Sequence, residues 1–179
     1  MSAPELSEYP GAPGCTILRF PTEEAWLDAR RNYVTASDAA TLFIDEIDEQ
    51  GESTYGTPYT IALEKLGKLD AYFDDEARRR MWFSTRMENV AGEYWREKDP
   101  CLPTFRFSGF HLIVNDKYPN LAATLDFMFL KEKGVAGPLE VKAPGEHMLK
   151  NWKDGETPLK FAIQNNVQMG LTNSIIGAI

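Results

Sequence analysis

Cysteine and histidine are scarce in this sequence, which has two of each among its 179 residues. Cys15 and Cys101 are too few for a disulfide framework or for a four-cysteine iron–sulfur cluster, and they lack metal-ligand spacing. His111 and His147 are far apart along the chain, which argues against a zinc site built from histidines. We therefore expect a protein of a reducing cytoplasm, without an iron–sulfur cluster.

Long apolar runs are also absent. No run of the sequence approaches the roughly 20 residues that a membrane-spanning helix needs, so we expect no membrane partner. Residues 1–14 are acidic, contain proline and glycine, and lack the basic and apolar regions of a signal peptide. We expect residues 1–20 to form a flexible tail and residues 21–179 to form a single domain with a buried core.

The net charge of −8 is unfavourable for a nucleic-acid partner when the chain is taken as a whole. The distribution of charge is less unfavourable for such a partner, because segment 77–86 carries four arginines: Arg78, Arg79, Arg80 and Arg86. These side chains could grip a DNA backbone, and a solvated helix face is an equally good interpretation.

Cap-type residues followed by helical patterns predict helices that begin at Thr22, Thr35 and Thr57. A longer helical pattern covers residues 74–99, and another covers 158–173. Between these two, three segments rich in aromatic and β-branched residues predict a meander: TFRFSGFHLIVND, NLAATLDFMFL and GPLEVKAP. A further strand is expected to start in SIIGAI. This order predicts an α/β (α+β) fold with a central mixed sheet flanked by helices.

Three charged residues lie inside the apolar runs of the predicted strands: Asp126, Glu140 and Lys142. A buried charge is costly unless it is paired or binds a metal. Glu140 and Lys142 are two residues apart and so share a sheet face, and Glu88 of the long helix could add a third carboxylate. Carboxylate oxygens suit Mg²⁺ or Mn²⁺, and such ions serve phosphodiester cleavage. A buried salt bridge is the alternative, because E-x-K on a strand is common by chance.

An aspartate followed, after a short gap, by Glu-x-Lys resembles the PD-(D/E)xK nuclease superfamily. The flanking segments are similar to the YqaJ family, the phage lambda exonuclease type. Trp26, Arg30 and Ser37 match the opening of that family in order and spacing. Its later motifs resemble YGTPYTIALEKLG, MWFSTRMENVA, LEVKAP and FAIQNNVQMGLTN. The resemblance covers residues from about 21 to the C-terminus and implies a restriction-endonuclease-like core.

The resemblance also implies residue roles in catalysis. Divalent metal would be held by three carboxylates and a carbonyl: Glu88, Asp126, Glu140 and the Val141 carbonyl. Lys142 would be the catalytic lysine, and Gln164 would position water or phosphate near the metal. The implied cofactor is Mg²⁺, with Mn²⁺ as a substitute.

Two further groups of residues would contact DNA. By the same resemblance, Arg30 and Ser37 would bind a 5′-terminal phosphate, since an arginine fork and a hydroxyl at a helix N-terminus suit an anion. The alternatives are an exposed salt bridge of Arg30 with Asp28 or Glu24 and a helix cap at Ser37. Arg78 and Arg79 would contact the phosphate backbone.

The implied function is Mg²⁺-dependent digestion of duplex DNA ends from 5′ to 3′ in phage-type recombination, in a bacterial or phage-infected cytoplasm. The partners would be duplex DNA ends, a single-strand annealing recombinase and further copies of the chain in a ring. An endonuclease of the same superfamily is one alternative. A non-catalytic acidic binder or inhibitor is another, and the complete set of acidic residues and lysine argues against it.

Departures from the family pattern concern the surroundings of the predicted site. Ser84 and Phe127 stand where the family usually has glycine, and Asn89 stands where it usually has proline. None of these changes removes a predicted metal ligand or the lysine. Family members usually continue beyond the glutamine helix into another strand, so a C-terminally truncated domain is an alternative to a compact one.

Overall fold

The structure is a computed structural model that describes residues 14–43, 56–69, 74–98, 104–107, 109–130, 136–143, 152 and 156–179. Outside these residues lie the first part of the expected tail (1–13), Cys101, Pro144 of the E-x-K-x-P motif and His147.

The described chain begins with strands and helices in turn, continues with a run of helices and then a run of strands, and ends with a helix. In order they are β1 (Cys15–Phe20), α1 (Glu23–Arg30), β2 (Val34–Thr35), α2 (Ala36–Ala39), a 3₁₀ helix (Ala40–Phe43), α3 (Pro58–Lys65), α4 (Asp75–Lys98), β3 (Thr104–Arg106), β4 (Phe110–Asn115), β5 (Leu121–Ala123), β6 (Phe127–Leu130), β7 (Ala136–Leu139) and α5 (Leu159–Leu171). The predicted α/β class is confirmed. None of the helices in these stretches is both long and apolar enough to cross a membrane.

The predicted helix starts are those of the structure. The Thr22 hydroxyl accepts a hydrogen bond from the Ala25 amide at 3.2 Å, and α1 follows it. The Thr57 hydroxyl likewise accepts from the Thr60 amide at 3.2 Å before α3. Each cap satisfies an amide that has no partner inside its helix, which explains why the chain turns helical at these residues.

The strands form two sheets. The first has the order β1-β4-β5-β2 and is mixed, because β2 runs parallel to β5 while the other pairs are antiparallel. The second is antiparallel and has the order β3-β6-β7. The mixed sheet predicted from the sequence is therefore confirmed, but it does not contain all the strands.

Two of the three segments predicted as single strands are each divided between the two sheets. The chain leaves the second sheet for the first around Gly109, whose φ of 75° turns the backbone sharply. It returns to the second sheet after residues 124–126, which lie between β5 and β6. Local composition predicts a strand but not the partner it pairs with, so these two crossings were invisible in the sequence. Asp126 lies at the second crossing.

The expectation of a flexible tail over residues 1–20 is wrong for its last six residues. Cys15–Phe20 form β1, which pairs along its whole length with β4, from Cys15 opposite Asn115 to Phe20 opposite Phe110. The segment CTILRF has the β-branched and apolar content of a strand, and this content outweighs the proline- and glycine-rich residues before it.

Apolar clusters join the sheets to α5. Ile113, Met128 and Leu171 are fully buried and belong to one cluster. A second cluster contains Phe127, Phe129 and Leu139. The predicted C-terminal strand is reduced to one parallel bridge between Leu139 and Ala178. These contacts fix the first residue of β6 and the last residue of β7. Asp126 immediately precedes β6, and Glu140 immediately follows β7.

Candidate active site

Asp126 and Glu140 lie at the same end of the second sheet. Phe127 opens β6 and pairs with Leu139, the last residue of β7. Their outer neighbours along the chain, Asp126 and Glu140, are therefore adjacent. A hydrogen bond joins the two segments directly: the amide of Val141, the residue after Glu140, donates to Asp126 Oδ2 at 2.9 Å. The sheet register thus brings together two carboxylates that are 14 positions apart in the sequence.

The Glu140 carboxylate is 5% exposed and has partners on both oxygens. Oε1 accepts from Lys142 Nζ at 2.7 Å and from Gln164 Nε2 at 2.6 Å. Oε2 accepts from Gln168 Nε2 at 2.6 Å. The two glutamines lie one turn apart on α5, so the same helix face serves both oxygens. A buried carboxylate needs such donors to remain charged.

Lys142 is held from two sides. Its Nζ contacts Glu140 and donates to Gln164 Oε1 at 2.9 Å, and it lies 5.0 Å from the centre of the Phe161 ring. Its side chain is 21% exposed. The ammonium group is thus fixed in direction while part of the side chain stays open to solvent, which a reacting group needs.

Gly92 brings α4 close to the second sheet. It is the buried residue of that helix, and a Cβ at this position would overlap the Phe127 ring. Phe127 follows Asp126 directly, and Glu88 lies one turn before Gly92 on the same helix face. The absence of a side chain at position 92 therefore lets the helix carry Glu88 towards Asp126 and Glu140.

The carboxylates influence one another's protonation. Burial and the charge of Glu140 raise the pKa of Asp126 to about 8, against the opposing effects of the Val141 amide and Lys142. Burial and the charge of Glu140 also raise the pKa of Glu88, whereas Arg106 and Lys142 lower it. Burial and like charges together produce these shifts, and a cation bound among the carboxylates would offset the repulsion between them.

The geometry needed for metal binding is incomplete. Among the described residues, no three carboxylate, imidazole or thiol groups stand close enough to hold an ion together. The predicted ligand set of Glu88, Asp126, Glu140 and the Val141 carbonyl thus remains a prediction. Its donors are all oxygens, the type that Mg²⁺ and Mn²⁺ prefer.

Arg30 and Ser37 meet in a second group of polar residues. Arg30 Nη2 lies 3.4 Å from both Thr35 Oγ1 and Ser37 Oγ, and these two hydroxyls are 3.0 Å apart. The guanidinium stands over the Trp26 ring at 4.7 Å, and the indole donates to the His111 carbonyl at 2.9 Å. An arginine with two hydroxyls is a suitable receptor for a phosphate.

An ion pair between Lys65 and Asp38 supports this second group. Lys65 Nζ contacts Asp38 Oδ2 at 2.7 Å and donates to the Arg30 carbonyl at 3.3 Å. Asp38 also accepts from the Thr35 amide at 2.9 Å. Burial alone would raise the pKa of Asp38, but the hydrogen bonds from Lys65 and Thr35 bring that pKa below its ordinary value. Burial lowers the pKa of Arg30, and the charges of Asp38 and Glu64 oppose that effect.

Both groups of polar residues are connected to α5. Ser37 belongs to α2, which packs against α5, the helix of Gln164 and Gln168. Thr35 pairs with Ala122 of β5, and Asp126 follows that strand by three residues. Arg78 and Arg79 are elsewhere, exposed near the start of α4 and roughly 14 Å along the helix from Glu88 at 1.5 Å per residue.

Two buried partners of these groups are not predicted by the sequence. Gln168 falls in a segment that resembles a family motif, but the resemblance implies no role for it. His111 was considered only as a zinc ligand, whereas its Nε2 accepts from the Leu125 amide at 3.3 Å and its Nδ1 lies 3.1 Å from the Gly109 carbonyl. Its ring thus links both chain crossings between the sheets. Its pairing with an amide next to Asp126 could not be read from spacing.

The fold and site define an α/β protein with a partly buried cluster of carboxylates, lysine and glutamine, and with a second group of an arginine and two hydroxyls. Residues 25–174 match the YqaJ-like viral recombinase domain, and the chain belongs to that family. It is also 21% identical over 150 residues to the "Uncharacterized protein YqaJ" of Bacillus subtilis (strain 168). That alignment covers 84% of this chain but 42% of the relative, so the chain spans less than half of the relative's length.

Proposed function

We propose that this protein is a metal-dependent deoxyribonuclease that digests duplex DNA ends from 5′ to 3′, on a restriction-endonuclease-like core. The observation that carries the proposal is the fixed Lys142 ammonium, 2.7 Å from Glu140 and 2.9 Å from Gln164, near the half-buried Asp126. Membership of the viral recombinase family supports a role in DNA recombination.

Mg²⁺, or Mn²⁺ in its place, is the proposed cofactor. Asp126 and Glu140 would hold it with the Val141 carbonyl, and Glu88 would approach from α4. Burial and the charge of Glu140 raise the pKa of Asp126 to about 8, and the repulsion between these two carboxylates supports the proposal of a cation at this place. When bound, such an ion stabilises negative charge on the scissile phosphate and lowers the pKa of water.

The residues of this chain supply the remaining chemistry. Lys142 would exchange a contact with Glu140 or Gln164 for one with the attacking water or a phosphate oxygen, and it would orient that group. The Gln164 amide accepts from Lys142 and donates to Glu140, so it would hold the Lys142 ammonium in the same orientation as the substrate binds.

Arg30 and Ser37 would recognise the 5′-phosphate of the strand that is digested. The two hydroxyls and the guanidinium lie within 3.4 Å of each other, a spacing that allows all three to bond to one phosphate. A receptor for a terminal phosphate favours an exonuclease over an endonuclease. An exonuclease starts at a strand end and can use the phosphate there, whereas an endonuclease cuts inside a strand and does not need to recognise its end. Arg78 and Arg79 would contact the duplex backbone further along α4.

The wider role follows from the chemistry of the product. Digestion from 5′ ends leaves a 3′ single strand, which an annealing recombinase would take up. A ring of several copies around the duplex would keep the enzyme on its substrate.

The test uses linear duplex DNA phosphorylated at one 5′ end, incubated with Mg²⁺ and, in parallel, with EDTA. Metal-dependent loss of the phosphorylated strand from its 5′ end is the expected result. A closed circular duplex is the control. Cutting of the circle would replace the proposal with an endonuclease, and binding without cleavage in Mg²⁺ or Mn²⁺ would replace it with a non-catalytic binder.

A further inference from the structure

Gln168 is a buried glutamine with two acceptors on one nitrogen. Its relative exposure is 0%, and its Nε2 donates to Glu140 Oε2 at 2.6 Å and contacts the Thr124 carbonyl at 3.4 Å. Both partners can only accept, so the orientation of the amide is determined by its neighbours. One amide group therefore joins the segment that carries Glu140 to the segment that leads into Asp126.

The other end of the same amide has no partner. Among the described residues, Gln168 Oε1 is a buried oxygen without a hydrogen-bond donor. An unpaired buried oxygen disfavours folding, so stability alone is a poor reason for a glutamine at this position. What the side chain provides is the pair of donors that faces Glu140 and Thr124.

We propose that Gln168 is a positioning residue, which fixes the Glu140 carboxylate relative to the Asp126 segment so that both present their oxygens to one cation. The inference rests on the proposed metal-dependent function and adds a residue to it. Donors behind a ligating carboxylate orient it, and their loss typically weakens metal binding or activity by about 10- to 100-fold.

Gln168 differs from Gln164 in position and in task. Gln164 is half-buried, contacts Lys142 as well as Glu140, and lies where a substrate could reach it. Gln168 contacts no cationic side chain in the described structure and has no exposed surface. Its loss should therefore affect the binding of metal, and the reaction should recover when more metal is supplied.

The test compares the full chain with Gln168→Met, which keeps the size of the side chain and removes both donors. Asn165→Leu is the matched control, because Asn165 is a buried amide on the same helix that faces Gly177. Isothermal titration with Mn²⁺, thermal unfolding in EDTA and the rate of DNA digestion against Mg²⁺ concentration are measured for each protein.

We expect Gln168→Met to bind Mn²⁺ about 10- to 100-fold more weakly and to regain most of its digestion rate at high Mg²⁺. It should still unfold cooperatively in EDTA, at a lower temperature than the parent because Glu140 Oε2 loses its buried donor. Asn165→Leu should bind Mn²⁺ as the parent does. Unchanged Mn²⁺ affinity in Gln168→Met, or a loss of rate that Mg²⁺ does not restore, would overturn the inference.

Two further outcomes are informative. If Gln168→Met does not fold, Gln168→Asn takes its place, because it keeps the amide but withdraws it by about 1.5 Å, one carbon–carbon bond. The same loss of Mn²⁺ affinity is expected, and an unchanged affinity would overturn the inference. A parent chain that neither binds Mn²⁺ nor cuts DNA would overturn the proposed function and the inference with it.

Discussion

Replacing Asp126 with asparagine should make the metal-free protein more stable at alkaline pH. In the folded chain the pKa of Asp126 is about 8, because burial and Glu140 disfavour its charged form. In the unfolded chain its pKa returns to about 3.9. Between these values the folded state holds a proton that the unfolded state has released, so stability falls as pH rises towards 8. Asparagine has no proton to lose, and the variant should not show this decline.

The size of the effect follows from the same difference. Between the two pKa values of Asp126, one pH unit changes the free energy of unfolding by at most about 1.4 kcal/mol per proton. From pH 6 to pH 8 the free energy of unfolding of the parent therefore falls by up to about 3 kcal/mol. For a chain of this length, 1 kcal/mol corresponds to roughly 2–4 °C in the unfolding temperature. We therefore expect a decline of several degrees in the parent that Asp126→Asn lacks.

Differential scanning calorimetry in EDTA at pH 6, 7 and 8 measures this difference. Asp28→Asn, which removes an exposed carboxylate from α1, is the control and should follow the parent. Adding Mg²⁺ at pH 8 should stabilise the parent and not Asp126→Asn, since a ligand stabilises the state that binds it. Equal pH slopes for the parent and Asp126→Asn would refute the reasoning.

Three further changes test other parts of the site. Lys142→Ala should abolish DNA digestion and largely preserve the fold, and Lys142→Arg should also fail although it keeps a positive charge beside Glu140. Cleavage at the parent rate by either variant would contradict this. Arg30→Gln should slow digestion most on 5′-phosphorylated ends, with the adjacent Arg31→Gln as control, and equal slowing on hydroxyl ends would exclude end recognition. Gly92→Ala should destabilise the fold by about 1–3 kcal/mol through overlap with Phe127 and also reduce digestion. Its control is Gly170→Ala, where a Cβ meets no atom within 4 Å, and equal stability of the two variants would contradict the overlap.

Local signals in the sequence were sufficient for the helices. Thr22 and Thr57 bond to the amide three residues later, a contact that depends only on neighbouring residues. The spacing of Glu140 and Lys142 likewise predicted their shared face, and the structure has them 2.7 Å apart. The prediction that Asp126 lies near this pair followed from its place on the neighbouring predicted strand. The role of Gln164 followed from the family motifs, since spacing alone does not relate a distant helix to a strand.

Features that depend on pairing between distant segments were not predictable. The strand Cys15–Phe20 exists because β4 offers it a free edge, and the crossings at Gly109 and residues 124–126 depend on which sheet each segment joins.

The burial of helix α4 was also not predictable from its own residues. Its helical repeat of apolar residues includes Trp82, which is 58% exposed and stacks 3.7 Å from the Arg86 guanidinium. A periodic pattern indicates a helix face, but the neighbours in space decide whether the face is covered.

The packing of α2 directly against α5 has a consequence for the length of the product in the proposed reaction. Ser37 lies on one of these helices and Gln164 lies on the other, and the two helices are in contact. Under the proposed function, this contact would fix the distance between the point where a strand end is held and the point where its backbone is cut. If the proposed function holds, every cycle should release a fragment of the same number of nucleotides, whatever the DNA sequence.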